Sequence, residues 1–206
     1  MTTSSSAPVA VLGAGGHAKV MVATLKAAGR LVLGCFVREA AELGGKVLGV
    51  PVLHEDTVPA GAELILAAGD GRLRQRLAAK LAGPWAIVVH PSAIIDPSVV
   101  LEPGAMICAG VVLQPEVRVG AHAIVNTAAH VDHDGAIGRF AHVAPGCHVA
   151  GSVAIGEGAF LGTGATVIPG RRIGAWATVG AGAVVLYDVR DGSTVVGVPA
   201  RERPRP

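Results

Sequence analysis

Residues 91–186 read PSAIID-PSVVLE-PGAMIC-AGVVLQ-PEVRVG-AHAIVN-TAAHVD-HDGAIG-RFAHVA-PGCHVA-GSVAIG-EGAFLG-TGATVI-PGRRIG-AWATVG-AGAVVL, sixteen six-residue blocks with no insertion. The fifth residue of every block is aliphatic, and the third is Ala or Val except at Gly135, Cys147 and Arg171. Alternate residues of a strand point to the same side, so each block offers two inward side chains before a corner. A fixed short period of this kind is typical of a solenoid, whose units bury their apolar faces against their neighbours.

The period excludes the two commoner architectures. A helix would space its apolar residues by three and four, and a hairpin sheet would show Gly/Asn turns between longer alternating runs. Three blocks close one triangular coil of eighteen residues, so sixteen blocks make five and a third coils. At a strand spacing of roughly 4.8 Å the prism is about 25 Å tall. We therefore predict a parallel β-helix.

Composition limits the other classes of function. The chain has 206 residues, of which 51% are hydrophobic and 16% charged, as expected for one or two compact domains. A net charge of +2, with no basic stretch interleaved with aromatic residues, argues against a nucleic-acid partner. The start, MTTSSSAPVAVLG, is unlike a signal peptide, and no apolar run could span a bilayer. Three scattered cysteines suit a reducing compartment, so we expect a cytoplasmic protein without membrane association.

The six-residue period is absent before residue 89, which predicts a separate domain over residues 1–88 and a β-helix domain over 89–206. Predicted strands alternate with predicted helices in the first domain, so we expect a small parallel, Rossmann-like α/β sheet. The segment after residue 186 loses the period and is expected to cap the β-helix and end in a frayed tail. The predicted strands cover residues 9–12, 31–37, 64–68 and 85–89. The first predicted helix ends near residue 28, and the second covers residues 72–81.

A glycine-rich loop, GAGGHAKV at residues 13–20, follows the first predicted strand and opens the first helix. Gly13, Gly15 and Gly16 would let the backbone approach an anion, and a helix N-terminus supplies N–H groups. The loop is not a complete GxGxxG motif, so a tight turn that only packs the sheet is the alternative interpretation.

Further polar residues are expected at the same edge of the sheet. His17 opens the helix, where its ring could donate to a phosphate or to a sugar hydroxyl. Gly69, Asp70 and Arg72 follow the strand at 64–68, and ligands of open α/β sheets bind at the carboxyl ends of the strands. These residues are predicted to bind the substrate.

Six of the eight histidines fall between His90 and His148. His130 and His148 are eighteen residues apart and should stack on one face; these two and His122 are also compatible with a solvated surface. His133 begins its block, at a corner, between Asp132 and Asp134. A neighbouring carboxylate holds the tautomer of an imidazole and stabilises its cation, which a general base requires.

His142 lies nine residues beyond His133, which is half a coil. In one chain the two side chains therefore belong to different sides of the prism. A site that uses both would have to form between two chains, so a joint role predicts an oligomer with active sites at its interfaces.

The two halves together resemble the nucleotide-sugar N-acetyltransferases that acetylate 4-amino sugars, and their relatives the sialic acid O-acetyltransferases. The resemblance covers essentially the whole chain and rests on a combination of motifs. These are GAGGHAKV at 13–20, GDGRLR at 69–74, HPSAIIDPS at 90–98, VNTAAHVDHD at 125–134, FAHVAPG at 140–146 and GVPAR at 197–201.

The resemblance implies a left-handed β-helix, a homotrimer, acetyl-CoA as the donor and no metal. It also implies that a nucleotide-linked amino sugar is the acceptor, in the biosynthesis of lipopolysaccharide or another bacterial surface glycan. His133 matches the family's catalytic base and Asp134 its acidic partner. Asn126 and His142 match positions that line the sugar site.

For the donor, the resemblance assigns the N–H of Gly151 to the thioester carbonyl, and Gly162 and Ala181 to the pantetheine arm. The chain departs from the family after the second strand. Many relatives have an acidic pair there that contacts the nucleotide, whereas residues 35–39 read CFVRE and place Arg38 at this position. The identity of the nucleotide is therefore left open between uridine, guanosine and thymidine.

Three other functions remain open from the sequence. O-acetylation of a sialic acid or another sugar would use the same donor and the same base. A zinc hydratase would need three histidines around an open fourth position, which His130, His133 and His142 could supply. A non-catalytic scaffold would bind a nucleotide sugar without turnover.

Overall fold

A computed structural model describes residues 7–203 of the chain. The N-terminal part is a five-stranded sheet with two α-helices, and strands alternate with helices because the apolar runs are separated by glycine-rich and polar turns. Its strands are β1 Val9–Leu12, β2 Val32–Val37, β3 Lys46–Val47, β4 Val50–His54 and β5 Glu63–Leu66; its helices are α1 Gly16–Ala27 and α2 Gly71–Ala78, with 3₁₀ turns at Ala40–Glu42 and Glu55–Thr57.

The strand order is β3-β4-β2-β1-β5, and every pair is parallel except β3–β4. The predicted parallel α/β sheet is therefore confirmed. The hairpin of β3 and β4 is an addition that the sequence did not predict, because its strands are short and residues 43–50 are rich in glycine.

One predicted strand has a different partner. The segment at 85–89 was expected to complete the N-terminal sheet, but Trp85 makes only a single bridge to Leu64. Val88–Val89, here β6, pairs with Met106–Ile107 of the β-helix, where the N–H of Val88 donates to the carbonyl of Ala105 (3.0 Å). Val88 and Val89 thus belong to the first coil, because their backbone groups pair with the next coil of the β-helix and not with the N-terminal sheet.

The β-helix consists of two-residue strands formed by the fourth and fifth residues of each block. Partners are eighteen residues apart, as in the pairing of Val112 with His130 and of His130 with His148, which confirms three blocks per coil. The fold is the expected left-handed parallel β-helix. After β6 its strands are β7 Ile94–Ile95, β8 Val100–Leu101, β9 Met106–Ile107, β10 Val112–Leu113, β11 Arg118–Val119, β12 Ile124–Val125, β13 His130–Val131, β14 Ala136–Ile137, β15 His142–Val143, β16 His148–Val149, β17 Ala154–Ile155, β18 Phe160–Leu161, β19 Thr166–Val167, β20 Arg172–Ile173, β21 Thr178–Val179 and β22 Val184–Val185.

The three sides of the prism are three separate sheets. Face A contains β7, β10, β13, β16, β19 and β22. Face B contains β8, β11, β14, β17 and β20. Face C contains β6, β9, β12, β15, β18 and β21, together with two strands of the C-terminal cap, β23 Thr194–Val196 and β24 Arg201–Glu202.

The inward positions form the core that the period predicted. Every fifth-position residue from Ile107 to Val185 is at most 4% exposed. Burying an aliphatic side chain of this size contributes roughly 1.5–3 kcal/mol relative to leaving it exposed. Ile95 and Leu101 in the first coil are only partly buried, since no coil lies below them on faces A and B.

The second residue of each block from 103 onward turns the corner in the left-handed backbone region. Glycine is common there, but Asp134 and six other non-glycine residues have φ between 55° and 64°. Such a residue costs about 1–2 kcal/mol, and hydrogen bonds between successive corners offset part of this cost. At Asp134 the backbone N–H donates to the carbonyl of Pro115 (3.1 Å). Side chains at these positions project outward from the corners of the prism.

The C-terminal segment closes the end of the β-helix, as expected. β23 pairs in parallel with β21, and β24 folds back antiparallel on β23. The predicted frayed tail falls largely on residues 204–206, outside the described residues. No helix between residues 7 and 203 is long and apolar enough to cross a membrane.

Candidate active site

A cavity of about 940 Å³ lies at the carboxyl ends of β1, β2 and β5. This is where open parallel sheets bind ligands, and the volume is at the upper end of the usual range for small-molecule sites. Seven predicted substrate-binding residues line this cavity: Gly13, Gly15, Gly16, His17, Arg38, Gly69 and Asp70.

The glycine loop forms an open cradle for an anion. Gly13 has φ +123°, and a Cβ there would lie 3.3 Å from the carbonyl oxygen of Ala67 on the neighbouring strand, so a side chain is excluded. A Cβ on Gly15 or Gly16 would have nothing within 4 Å. Because α1 begins at Gly16 and its N-cap residue, Gly15, has no side chain to cap it, the first N–H groups of the helix are available to a phosphate.

His17 contributes a neutral ring to this cavity. Burial, together with the charge of Arg74, lowers the pKa of His17 to about 4. Its buried Nε2 has no hydrogen-bond partner among residues 7–203. An unpartnered buried nitrogen beside an anion cradle is therefore available to a ligand.

Arg38 is held by an acidic residue from another turn. Its Nε donates to Oε1 of Glu55 (2.6 Å), and this hydrogen bond raises the pKa of Arg38. Glu55 and Asp56 follow β4 and line the same cavity, because β4 runs parallel to β2 and ends at the same edge. An acidic pair thus lies at this edge after β4, and the sequence analysis did not place it there because β4 was not predicted.

A second cavity of about 460 Å³ shares Gly69 and Asp70 with the first and extends over face C. Arg72 belongs to this second cavity, where its Cζ lies 3.5 Å from the ring centre of Trp176. Phe140, Phe160 and Trp176, three of the six aromatic residues of the chain, line it together with His142. Sequence reasoning did not assign these aromatics, although their concentration in an aromatic-poor repeat was a usable signal.

His142 is fixed by hydrogen bonds on both ring nitrogens. Nδ1 donates to the carbonyl of Gly69 (3.1 Å), and Nε2 accepts from the side-chain amide of Asn126 (3.1 Å). Asn126 is oriented in turn because its Oδ1 accepts from the N–H of Thr127 (2.8 Å). Burial lowers the pKa of His142 to about 4, so the ring is neutral. His142 and Asn126 therefore lie beside Gly69, another predicted substrate-binding residue, and a neutral ring with both nitrogens already hydrogen-bonded is poorly placed to act as a base.

His133 lies at the corner between faces A and B, and its ring is paired as the sequence predicted. Nδ1 lies 2.8 Å from Oδ2 of Asp134, whose left-handed backbone turns the carboxylate alongside the ring. Oδ1 of Asp132 accepts from the backbone N–H of His133 (2.8 Å). The hydrogen bond to Asp134, aided by the charge of Asp132, raises the pKa of His133. With Nδ1 protonated and held, Nε2 is the nitrogen that can accept a proton.

Gly151 lies one coil further along, directly against the His133 ring. A Cβ on Gly151 would lie 2.6 Å from Nε2 of His133, so any side chain here would displace the ring from its present position. The N–H of Gly151 has no acceptor among residues 7–203. A basic nitrogen and a free N–H donor thus lie side by side, as the expected acyl-transfer chemistry requires.

The predicted residues are not all close together within one chain. His133 and Gly151 lie at the corner of faces A and B, whereas His142 lies on face C. Gly162 and Ala181 are adjacent to each other, since a Cβ on Gly162 would lie 2.6 Å from the N atom of Ala181, but they lie at the corner of faces C and A. Face A, with His130 and His148, separates the two corners.

Comparisons with known proteins identify the family. Residues 8–81 match the family model described as the PglD N-terminal domain, and residues 152–187 match the hexapeptide repeat of succinyl-transferase. PerB from Caulobacter crescentus, solved in complex with CoA and GDP-perosamine, is 41% identical over 97% of this chain and 99% of its own, with a TM-score of 0.90. The chain belongs to the sugar N-acetyltransferase family with a left-handed β-helix.

Two further members of the family have the same architecture. The acetyltransferase domain of PglB from Neisseria gonorrhoeae FA1090, in complex with acetyl coenzyme A, is 34% identical over 97% of this chain and all of its own, with a TM-score of 0.88. WeeI from Acinetobacter baumannii AYE is 27% identical over 95% and 99% of the two chains, also with a TM-score of 0.88. A comparison with curated protein sequences gives no match. The family resemblance inferred from the motifs is confirmed.

The histidines of the hydratase alternative do not form a cluster in one chain of this family member. His130 stacks edge-on against His148 on face A with 5.1 Å between ring centres, while His142 lies on face C. Within residues 7–203, no group of three or more His, Cys, Asp or Glu residues is placed to hold a metal ion.

Sequence reasoning missed one buried charge. Arg74 on α2 is only 1% exposed, and all its hydrogen bonds go to backbone carbonyls of the loop after β5 and of the β-helix. The residue ends the GDGRLR motif, which carried the family resemblance without suggesting a role for the arginine.

Proposed function

We propose that the protein transfers the acetyl group of acetyl-CoA to the amino group of a nucleotide-linked 4-amino-deoxy sugar. The observation that carries this proposal is the His133–Asp134 pair with the free N–H of Gly151 beside it. The cavity at the carboxyl ends of β1, β2 and β5, from here on called the nucleotide cavity, supplies the second requirement, a site for the acceptor. Relatives solved with CoA and GDP-perosamine or with acetyl coenzyme A support both substrates, and favour guanosine as the base.

The reaction is a direct transfer. The amino nitrogen of the sugar attacks the thioester carbonyl, and Nε2 of His133 accepts the proton that this amino group loses. The C–S bond then breaks and releases the CoA thiolate, which is protonated. Asp134 stabilises the imidazolium through Nδ1. A general base is worth roughly 10²–10⁴-fold, and one oxyanion donor, here the N–H of Gly151, roughly 10²–10³-fold.

The acceptor binds in the N-terminal part in this account. The diphosphate accepts hydrogen bonds from the N–H groups at the start of α1. The polar end of the cavity, with Arg38, Glu55 and Asp56, contacts the nucleobase. Neutral His142 and Asn126 orient the sugar. We also place the reaction in the cytoplasm, where acetyl-CoA and nucleotide sugars are available, as a step in surface glycan biosynthesis.

The complete site forms between subunits of a homotrimer. His133 and Gly151 lie at one corner of the prism, and His142 with the nucleotide cavity lies on another side of the same chain. One chain therefore supplies the base and the oxyanion donor, while its neighbour supplies the acceptor site. A cyclic trimer satisfies this arrangement three times.

Mixing two impaired variants tests the shared site. His133→Ala removes the base and His142→Ala removes a group that orients the acceptor, so either variant alone should have little activity at an acceptor concentration well below the wild-type KM. In a trimer that contains both, one interface always pairs the intact His133 of one chain with the intact His142 of the next. Random reassembly of equal amounts, by denaturation and refolding, should restore about one quarter of the wild-type activity.

The same mixture without subunit exchange is the control and should keep the low activity of the single variants. Continued low activity after exchange, with mixed trimers demonstrated by mass spectrometry of differently tagged chains, would contradict the shared site.

Acetyl-CoA consumption against a panel of acceptors tests the proposed reaction. We expect turnover with GDP- or UDP-linked 4-amino-deoxy sugars and none with free sialic acids or with the corresponding 4-hydroxy nucleotide sugars. Turnover confined to hydroxyl acceptors would instead establish O-acetylation. Tight binding of a nucleotide amino sugar without any consumption of acetyl-CoA would establish a binding scaffold.

A further inference from the structure

Arg74 connects the two parts of the chain. Three of its hydrogen bonds reach the β-helix: Nε donates to the carbonyl of His122 (3.0 Å), and Nη2 donates to those of Phe140 (2.5 Å) and Ala141 (3.1 Å). The other two reach the loop after β5, where Nη1 donates to the carbonyls of Ala68 (2.9 Å) and Gly69 (2.8 Å). All five N–H groups of the guanidinium thus have acceptors.

The acceptors of Arg74 are the same backbone groups that hold His142. The carbonyl of Gly69 accepts from both Arg74 and Nδ1 of His142. Ala141, which also accepts from Arg74, immediately precedes His142 in the chain. Arg74 therefore determines where the acceptor of Nδ1 lies and where the strand that carries His142 lies.

Within residues 7–203, the buried charge of Arg74 is held by backbone carbonyls and not by a carboxylate in contact with it. It forms no ion pair with any carboxylate of residues 7–203, and burial lowers its pKa to about 10, which leaves it a cation at neutral pH. The titratable groups that sense this charge are His17 on α1, His122 and His142 on the β-helix, and Asp70 at the start of α2. For the three histidines the nearby cation disfavours protonation.

We propose that Arg74 is a positioning residue that fixes the nucleotide cavity against the β-helix and, through their shared acceptor Gly69, holds the His142 ring in one orientation with Nδ1 as the donor. Lysine could not replace it, because an ammonium has three donors at one point and cannot reach acceptors on both parts with a planar fork. The kinetic consequence of this role rests on the proposed function.

The test compares Arg74→Lys and Arg74→Met with Arg76→Met, a substitution of an exposed arginine on the same helix. Both Arg74 variants should raise the KM for the nucleotide amino sugar at least about tenfold, a loss of one acceptor-orienting interaction. The KM for acetyl-CoA should stay within about twofold, because the donor-side residues His133 and Gly151 lie at another corner. Arg76→Met should match the wild type in both constants.

A second readout uses the protein without substrate. NMR titration should show the pKa of His142 higher in Arg74→Met than in the wild type and in Arg76→Met, because the neighbouring cation is gone. This readout separates the two claims: a wild-type protein without turnover would refute the proposed function, and the titration would still test Arg74.

A merely structural role predicts different results. It would lower the melting temperature and the fraction of active protein while both KM values and the pKa of His142 stayed unchanged. That outcome, or failure of both Arg74 variants to fold while Arg76→Met folds, would overturn the proposal.

Discussion

Replacing His133 by alanine should lower the turnover number at least about 10²-fold, with the KM for each substrate changed little. The ring makes no contact that the fold requires, since its side chain is 59% exposed and lies outside the core. Steady-state kinetics with purified protein measures this loss. His148→Ala, an exposed histidine on face A, is the matched control and should retain normal turnover.

The pH dependence identifies the role of the lost group. Asp134 raises the pKa of His133, and the base must be neutral to accept a proton, so wild-type turnover should fall as the pH falls through a value above 6.5. His133→Ala should lose this acid limb along with most of its rate. A variant with near-normal turnover and an unchanged pH profile would remove His133 from the mechanism.

Replacing Gly151 by alanine should lower turnover by roughly 10²–10³-fold, the range for loss of one oxyanion donor. The new Cβ would lie 2.6 Å from Nε2 of His133, so it moves the base away from the N–H donor that it must act beside. Gly151 is not in the left-handed region, so the backbone accepts alanine and the protein should fold.

The control is Gly45→Ala, where a Cβ would meet only ordinary contacts of 3.8 Å or more and φ is also not left-handed. We expect its kinetics and melting temperature to equal those of the wild type. Normal turnover in Gly151→Ala would show that neither the donor nor the ring position matters, and would contradict the proposed oxyanion site.

The β-helix was predictable because its signal is local and repeated. Each block states the same alternation of inward residues, and one count of eighteen fixes every strand partner, including His130 with His148. The N-terminal hairpin of β3 and β4 was not predictable, because strands of two and five residues in a glycine-rich segment are too short to show an alternating pattern.

The site divides in the same way. The pairing of His133 with Asp134 could be predicted because the two residues are adjacent at a corner. The separation of His133 from His142 followed from their spacing of half a coil. Glu55 and Arg74 were not accessible, because each acts through a partner remote in sequence. Glu55 pairs with Arg38 seventeen positions away, and Arg74 reaches Phe140 sixty-six positions away. Only the folded arrangement of the two parts brings such groups together.

The most direct measurement of the central claim is the identity of the bond formed. A GDP-linked 4-amino-deoxy sugar incubated with acetyl-CoA labelled with ¹³C at its carbonyl should give a product whose labelled carbon is coupled, in NMR, to the proton on C4 of the sugar through an amide nitrogen. Coupling of the labelled carbon, as an ester, to the proton on a sugar carbon that bears oxygen would contradict the account. Release of the label only as free acetate would contradict it as well.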